Sequence, residues 1–308
     1  MRRPDVPLPT GWELWELLIQ LFLSPLIVLP RGLQLRACSG FARILLRPGG
    51  RYRKQVESSM PELPPGVTVI EFGRTVESYM LSERVMALRG ALFPRWNRKV
   101  ELAGLEHLET ALSAGHGAIL WVQPCIASTL AVKQALYEAG FPLAHLSRPA
   151  HGFSPHPFGV RFVNPILRRA EVRFLEERVV IDEGQTIRPI RRMRAWLKEN
   201  RVVSITATTT ASHVDSFNFR GGTLKLPRGP VELAQSTGAA LMPVFTQGSR
   251  EVPHVEIFPS LVPLIANQSE IQVVLEAAVR WLDDQVEQHP LDWIGWRADL
   301  FTPGRNHG

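Results

Sequence analysis

The run Gly117-Ala-Ile-Leu-Trp-Val122 constrains the fold more than any other stretch of the chain. None of its six side chains is charged, and neither face of a strand built from it would welcome water. Such a strand belongs inside a parallel sheet covered by helices on both sides. The flanking pattern agrees. Val100 to Gly104 is strand-like, and Leu143 to Leu146, Val202 to Ala207 and Leu241 to Phe245 read as further short strands. Between them, helical spacing covers Leu105 to Ala114, Leu130 to Ala139 with Gly140 as its stop, Val231 to Thr237 and the long amphipathic stretch Ile271 to Glu287. Ile187 to Glu199 reads as a basic helix, and Phe162 to Phe174 as helical or irregular. Strands alternating with helices predict an α/β fold: a central, mainly parallel sheet flanked by helices.

The N-terminus has a different character. Leu17 to Leu29 (LLIQLFLSPLIVL) is apolar but interrupted by Gln20, Ser24 and Pro25, and it falls short of the about 20 apolar residues that a spanning helix needs. Leu29-Pro30-Arg31 offers no small-residue cleavage site. Trp12 and Trp15 precede the run. Arg31, Arg36, Arg43, Arg47, Arg51, Arg53 and Lys54 follow it. Aromatics at one end and a basic flank at the other suit a helical membrane-anchor segment lying in the interface; the alternative is a buried helix kinked at Pro25. Pro61 to Pro65 is a break, so the chain divides into an anchor and basic helical segment over 1–60 and an α/β domain over 61–308. That domain opens with a helix from Val69 to Leu92, ended by Phe93-Pro94.

Lys and Arg outnumber Asp and Glu by 35 to 29, a net charge of +6 with His neutral. The excess implies an acidic partner, such as anionic lipid or an acidic substrate, or else a plain preference for arginine. No basic block interleaved with aromatics is present, which argues against nucleic acid. The two cysteines, Cys38 and Cys125, form no disulfide framework and no zinc-ligand spacing, so neither metal nor cofactor is expected.

Several blocks resemble one family. Glu101-Leu-Ala-Gly-Leu-Glu-His-Leu108 is similar to a "V-x-G-x-E-x-L" block, and Gly117 to Val122 to the strand that follows it. Ser147-Arg148-Pro149 is similar to "Y-R-P", and Gly221 to Pro230 to "F-G-x-P-x-x-x-x-x-G-P". Thr237 to Phe245 is similar to "T-G-A-P-V-V-P-V-F". Pro290-Leu-Asp-Trp293-Ile-Gly-Trp296-Arg297 resembles "P-x-x-W-x-W-x-x-R", and upstream Arg51 to Glu62 resembles "R-x-x-N-L-x-x-x-F-P-E". In this order, over nearly the whole chain, they resemble the late lipid A acyltransferases, the bacterial lauroyl and myristoyl transferases. The resemblance implies transfer of a fatty acyl chain from acyl carrier protein or acyl-CoA to a membrane lipid, at the cytoplasmic face of the bacterial inner membrane.

That chemistry removes a proton from a hydroxyl, and the family does it with a histidine followed five positions later by Asp or Glu. Here the resemblance places Pro124 and Thr129 at those positions, and none of the nine histidines is followed by an acid at that spacing. The family's "P-D-Q" turn is replaced by Ala207-Thr-Thr-Thr-Ala-Ser212. The resemblance assigns Arg148 to a phosphorylated acceptor, which a guanidinium would grip with two parallel hydrogen bonds; a surface loop arginine is the alternative. Arg228 and Gly229 would add a charge and a backbone amide nearby, or form a plain turn. His151 and His156, in the proline-rich loop after Arg148, are candidate replacement bases or idle loop histidines. Cys125 reads as a buried thiol rather than an acyl acceptor, and Arg168-Arg169 as a second anionic-group site or a solvated helix face.

Three readings follow. One is an atypical membrane-associated acyltransferase acting on a lipid, sugar or amine acceptor. Another is a catalytically inactive acyltransferase-fold protein that binds acyl chains or carrier, or scaffolds a partner. The third is an unrelated soluble α/β enzyme.

Overall fold

The computed structural model describes residues 11–63, 68–149, 152, 157–181, 187–208, 213–261, 271–297 and 300–304. His151 and His156 therefore lie outside the described residues. Four helices open the chain: α1 (Gly11–Leu23), α2 (Arg31–Leu45), α3 (Arg51–Ser59) and α4 (Val69–Leu92), with a 3-10 turn at Ser24–Val28 between the first two. The remainder alternates. It runs β1 (Glu101–Ala103), α5 (Leu105–Ser113), β2 (Ala118–Val122), α6 (Ser128–Glu138), β3 (Leu143–Ser147), α7 (Pro157–Phe162), α8 (Asn164–Val172), β4 (Glu177–Val180), α9 (Ile187–Lys198) and β5 (Val202–Thr206). Then come β6 (Val214–Phe219), β7 (Gly222–Pro227), α10 (Gly229–Thr237), β8 (Ala240–Gln247), β9 (His254–Ile257), α11 (Ile271–Gln288) and β10 (Phe301–Pro303).

Seven strands form the main sheet in the order β1-β9-β8-β2-β5-β3-β4. Every neighbouring pair is parallel except β8 with β9. The apolar run is its central strand: β2 is buried at all five positions, paired to β5 on one side and β8 on the other. The α/β expectation holds, with mainly parallel strands flanked by helices. Right-handed crossovers put α6 and α8, which touch each other, on one face, and α9 and α10, which also touch, on the other.

The element boundaries have local causes. Thr68 caps α4: its hydroxyl accepts from Glu71 N at 3.3 Å, satisfying one amide that the helix leaves unpaired, and donates to the Glu71 carboxylate at 2.8 Å. Pro230 stands in the first turn of α10, and Gly238 ends that helix in the left-handed conformation (φ +76°). Gly104, between β1 and α5, also has positive φ, and a side chain there would collide with the Ile257 carbonyl.

Some elements were not expected from the sequence. The edge strand β4, the strand β9 and a separate antiparallel sheet of β6, β7 and β10 all formed from segments without a clear apolar run. The small sheet packs by aromatic edges: Phe219 meets Trp293 at 5.4 Å and Phe301 at 6.3 Å between ring centroids, both edge-on.

The apolar N-terminal run is partly a helix and partly a 3-10 turn at Pro25. One side is buried: Leu23, Leu26, Cys38 and Ala42 share a core with Leu81, Val85 and Met86 of α4. The other side faces outward, with Leu18 56%, Leu21 68% and Val28 73% exposed. Among the described residues no helix is long and apolar enough to cross a membrane.

Candidate functional site

The carboxyl ends of parallel strands are where α/β sheets take ligands, at the point where chain connections diverge. From β2 the chain runs one way to β3, and later strands return to fill the β5 and β8 positions, so β2 sits at that point. The loop leaving β2 carries Pro124 and Cys125. It is closed by the C-terminal segment. Ile294 N donates to Pro124 O (2.9 Å), Ile126 N donates to Asp292 O (2.8 Å), and Cys125 bridges to Trp293. Asp292 anchors that segment in turn: it is 3% exposed and accepts from Ser249 N (2.7 Å) and the Ser249 hydroxyl (3.0 Å). Burial pushes its carboxyl above the usual range, opposed by those hydrogen bonds. The Pro-Leu-Asp-Trp block thus acts as a strap over the β2 loop.

Nothing in this loop is a base. Pro124 has no proton-accepting side chain. Thr129 lies in the first turn of α6, where its carbonyl accepts from Lys133 Nζ at 2.7 Å. Cys125 is buried, and burial raises its thiol far above the pH at which a thiolate would form. Its place in the core agrees with the buried-thiol reading.

A cavity of about 540 Å³ lies at the carboxyl ends of β3 and β5 on the α9/α10 side. Leu146, Ser147 and Arg148 form one wall, and Ile205, Thr206 and Thr208 another. Ile190 and Arg194 of α9 and Gly229, Pro230, Glu232 and Leu233 of α10 close it. Two of the three substrate-binding candidates, Arg148 and Gly229, are therefore brought together. The third points elsewhere. Arg228 is not among the lining residues; its guanidinium forks the Asp215 carboxylate at 2.5 and 2.6 Å. This pairing lowers the Asp215 pKa and raises that of Arg228. Arg168 and Arg169, on α8, do not line the cavity either.

Two features of the candidate site escape sequence reasoning. Arg178 on β4 reaches across to β3: its Nε donates to Ser147 Oγ at 3.1 Å and its Nη2 to Arg148 O at 2.6 Å, fixing the backbone that presents Arg148. Burial depresses its pKa. Only the arginine in an otherwise apolar strand end could have signalled it. Glu232 is the single carboxylate among the described lining residues, placed there by the first turn of α10. Its spacing from the Gly-Pro pair that starts the helix was the available clue. His145, by contrast, is 3% exposed and bonds through Nδ1 to Ser204 Oγ at 2.8 Å. It is not among the residues that line this cavity.

With the geometry in place, comparison with known proteins narrows the chemistry. No family model matches the chain. Two proteins of Mycobacterium tuberculosis strains, each named phosphatidylinositol mannoside acyltransferase, are 27% identical over 212 residues, 66% of this chain. The chain is similar to lipid acyltransferases. A protein of the same name from Mycolicibacterium smegmatis is 25% identical over 219 residues, 68% of this chain and 67% of its own length. The chain spans 62% of the length of the two M. tuberculosis relatives it matches.

Proposed function

We propose that this protein is a membrane-associated acyltransferase, moving a fatty acyl chain from acyl carrier protein or coenzyme A to a lipid, sugar or amine acceptor. The cavity that joins Arg148 to the start of α10 at the carboxyl ends of β3 and β5 carries this reading. The relatives' name supports the reaction class and favours a glycolipid acceptor that bears a phosphate.

In the proposed step the acceptor oxygen or nitrogen attacks the thioester carbonyl. The C–S bond breaks, the thiolate leaves, and the acceptor's proton passes to a base. Arg148 grips the phosphate with two charge-assisted hydrogen bonds. Glu232 is the proton acceptor among the described lining residues, with His151 and His156 as the alternatives in the loop beyond Arg148. A thioester is already activated, so positioning contributes much of the acceleration and a weaker base suffices. The exposed apolar side of α1 and the basic residues after it support a peripheral or monotopic place on the cytoplasmic face of the inner membrane.

Pro124 favours a second reading, a catalytically inactive protein that keeps the fold to bind acyl chains or their carrier. One experiment separates them. The purified protein is given radiolabelled acyl carrier protein thioester or acyl-CoA with a phosphatidylinositol mannoside acceptor, beside Arg148→Ala, Glu232→Gln and His151→Ala/His156→Ala variants. Transfer lost in Arg148→Ala and in one base variant supports the enzyme. Thioester binding without transfer by the wild-type chain leaves the inactive binder.

A further inference from the structure

A second cavity, of about 480 Å³, lies between the N-terminal helices and α4, and shares no lining residue with the first. Four guanidinium groups line it: Arg47 before α3, Arg51 in its first turn, Arg84 of α4 and Arg297 near the C-terminus. Among the described lining residues a single carboxylate, Glu77, faces them, and it is already engaged: it pairs with Arg297 and accepts from the Tyr52 hydroxyl at 2.8 Å. Arg47 and Arg51 therefore give the cavity positive charge beyond the Glu77–Arg297 pair. Arg47 and Arg51 are exposed and make no side-chain hydrogen bond or ion pair among the described residues.

The rest of the wall is apolar. Ile19, Ile44, Leu45, Met80 and Leu81 complete it. Ile44 is 60% exposed, so the apolar wall continues onto the surface. One turn before it Phe41 stacks on Phe22 of α1 at 4.5 Å, and Phe22, Leu18 and Leu21 extend the apolar strip along α1. Surplus guanidinium beside an open apolar strip matches one kind of molecule: a phosphate group attached to hydrocarbon chains.

We propose that this cavity is a docking site for the phosphodiester headgroup of an anionic phospholipid, whose acyl chains lie along the strip of α1 and α2. It is distinct from the cavity beside Arg148, and it orients the molecule on the bilayer instead of feeding the reaction. The inference stands apart from the proposed activity, because binding is read without turnover.

The test is flotation of the full chain with vesicles of phosphatidylcholine alone, or with about one phosphatidylglycerol in four, a surface charge like that of an anionic leaflet. Arg47→Ala/Arg51→Ala is compared with Arg188→Ala/Arg191→Ala, which removes the same charge from exposed positions of α9. Thermal melts verify that both variants fold. A basic residue at an anionic surface contributes about fivefold in partitioning, so the first variant is expected to lose about thirtyfold on phosphatidylglycerol vesicles and little on phosphatidylcholine. The α9 variant is expected to lose much less. Equal losses in the two variants would reduce the site to diffuse surface charge and overturn the proposal. Glycerol phosphate that raises the melting temperature of the wild type but not of Arg47→Ala/Arg51→Ala, with vesicle partitioning unchanged in that variant, would assign the cavity to a soluble anion and overturn it too.

Discussion

At the scale of single residues, two side chains offer direct tests of the proposed site and of the strap over the β2 loop. Arg148 is presented by a backbone that Arg178 holds from the neighbouring strand. A hydrogen bond to a charged group is worth about 1.5–3 kcal/mol, so Arg148→Ala is expected to lower kcat/KM for a phosphorylated acceptor by about 10–100-fold. The loss should fall mainly on KM for that acceptor, and an acceptor without phosphate should show little change. Asp292 is the other. Burial raises its folded pKa above the unfolded value. Its favourable contribution is therefore fully present below the ordinary carboxylate range and is lost as pH rises through the raised value. Asp292→Asn keeps an acceptor for Ser249 N and cannot ionise. Urea midpoints of the wild type should fall relative to those of the Asn variant as pH rises from about 4. A rise instead would mean that the Ser249 hydrogen bonds outweigh burial. Asp292→Ala leaves Ser249 N without its acceptor and should cost about 1–3 kcal/mol at any pH in that range.

Between elements, the telling contact is the ion pair of Lys133 on α6 with Glu171 on α8, 2.8 Å long with side chains 4% and 1% exposed. Glu171→Gln strands the ammonium in the interior and should cost about 3–5 kcal/mol, whereas Lys133→Met/Glu171→Leu should lie within about 1 kcal/mol of the wild type or be more stable. Chemical denaturation of the two variants checks this, and a double variant as unstable as the single one would show that packing, not charge, sets the cost. No such pair could be read from the chain, since its partners stand far apart in sequence. What could be read were elements whose burial is written in consecutive residues. The helix Val69 to Leu92 was anticipated to the residue, and β2, β3, β5 and β8 to within a few. The strands β4, β9 and β10 are short and mixed in pattern, and they exist because a neighbour's edge pairs with them. The site divides the same way. Arg148 and Gly229 were flagged by motif, but the diversion of Arg228 to Asp215 and the arrival of Glu232 depend on the β6–β7 hairpin and on where α10 begins.

Over the whole molecule, one lock joins the first helices to the last residues. Arg297, in the C-terminal Trp-Ile-Gly-Trp-Arg block, pairs with Glu77 of α4, and its Nη2 donates to the Tyr52 hydroxyl of α3 at 2.5 Å; that hydroxyl in turn donates to Glu77. Glu77 is 4% exposed. Removing the arginine leaves a buried carboxylate with the Tyr52 bond alone, a situation that costs about 3–5 kcal/mol. The cost should fall unevenly. The strands β2, β5 and β8 are stabilised by the main core and do not depend on Arg297, whereas α3 meets the rest of the molecule chiefly through α4 and β10. In Arg297→Ala, hydrogen exchange is expected to quicken first in α3 and the adjoining turn of α4, with β2, β5 and β8 still protected. Arg297→Ala/Glu77→Gln removes the stranded charge and should recover more than half of the lost stability. Uniform acceleration across both regions would mean that the helices and the sheet open as one cooperative unit, and that the lock stabilises the whole molecule instead of the helical end alone.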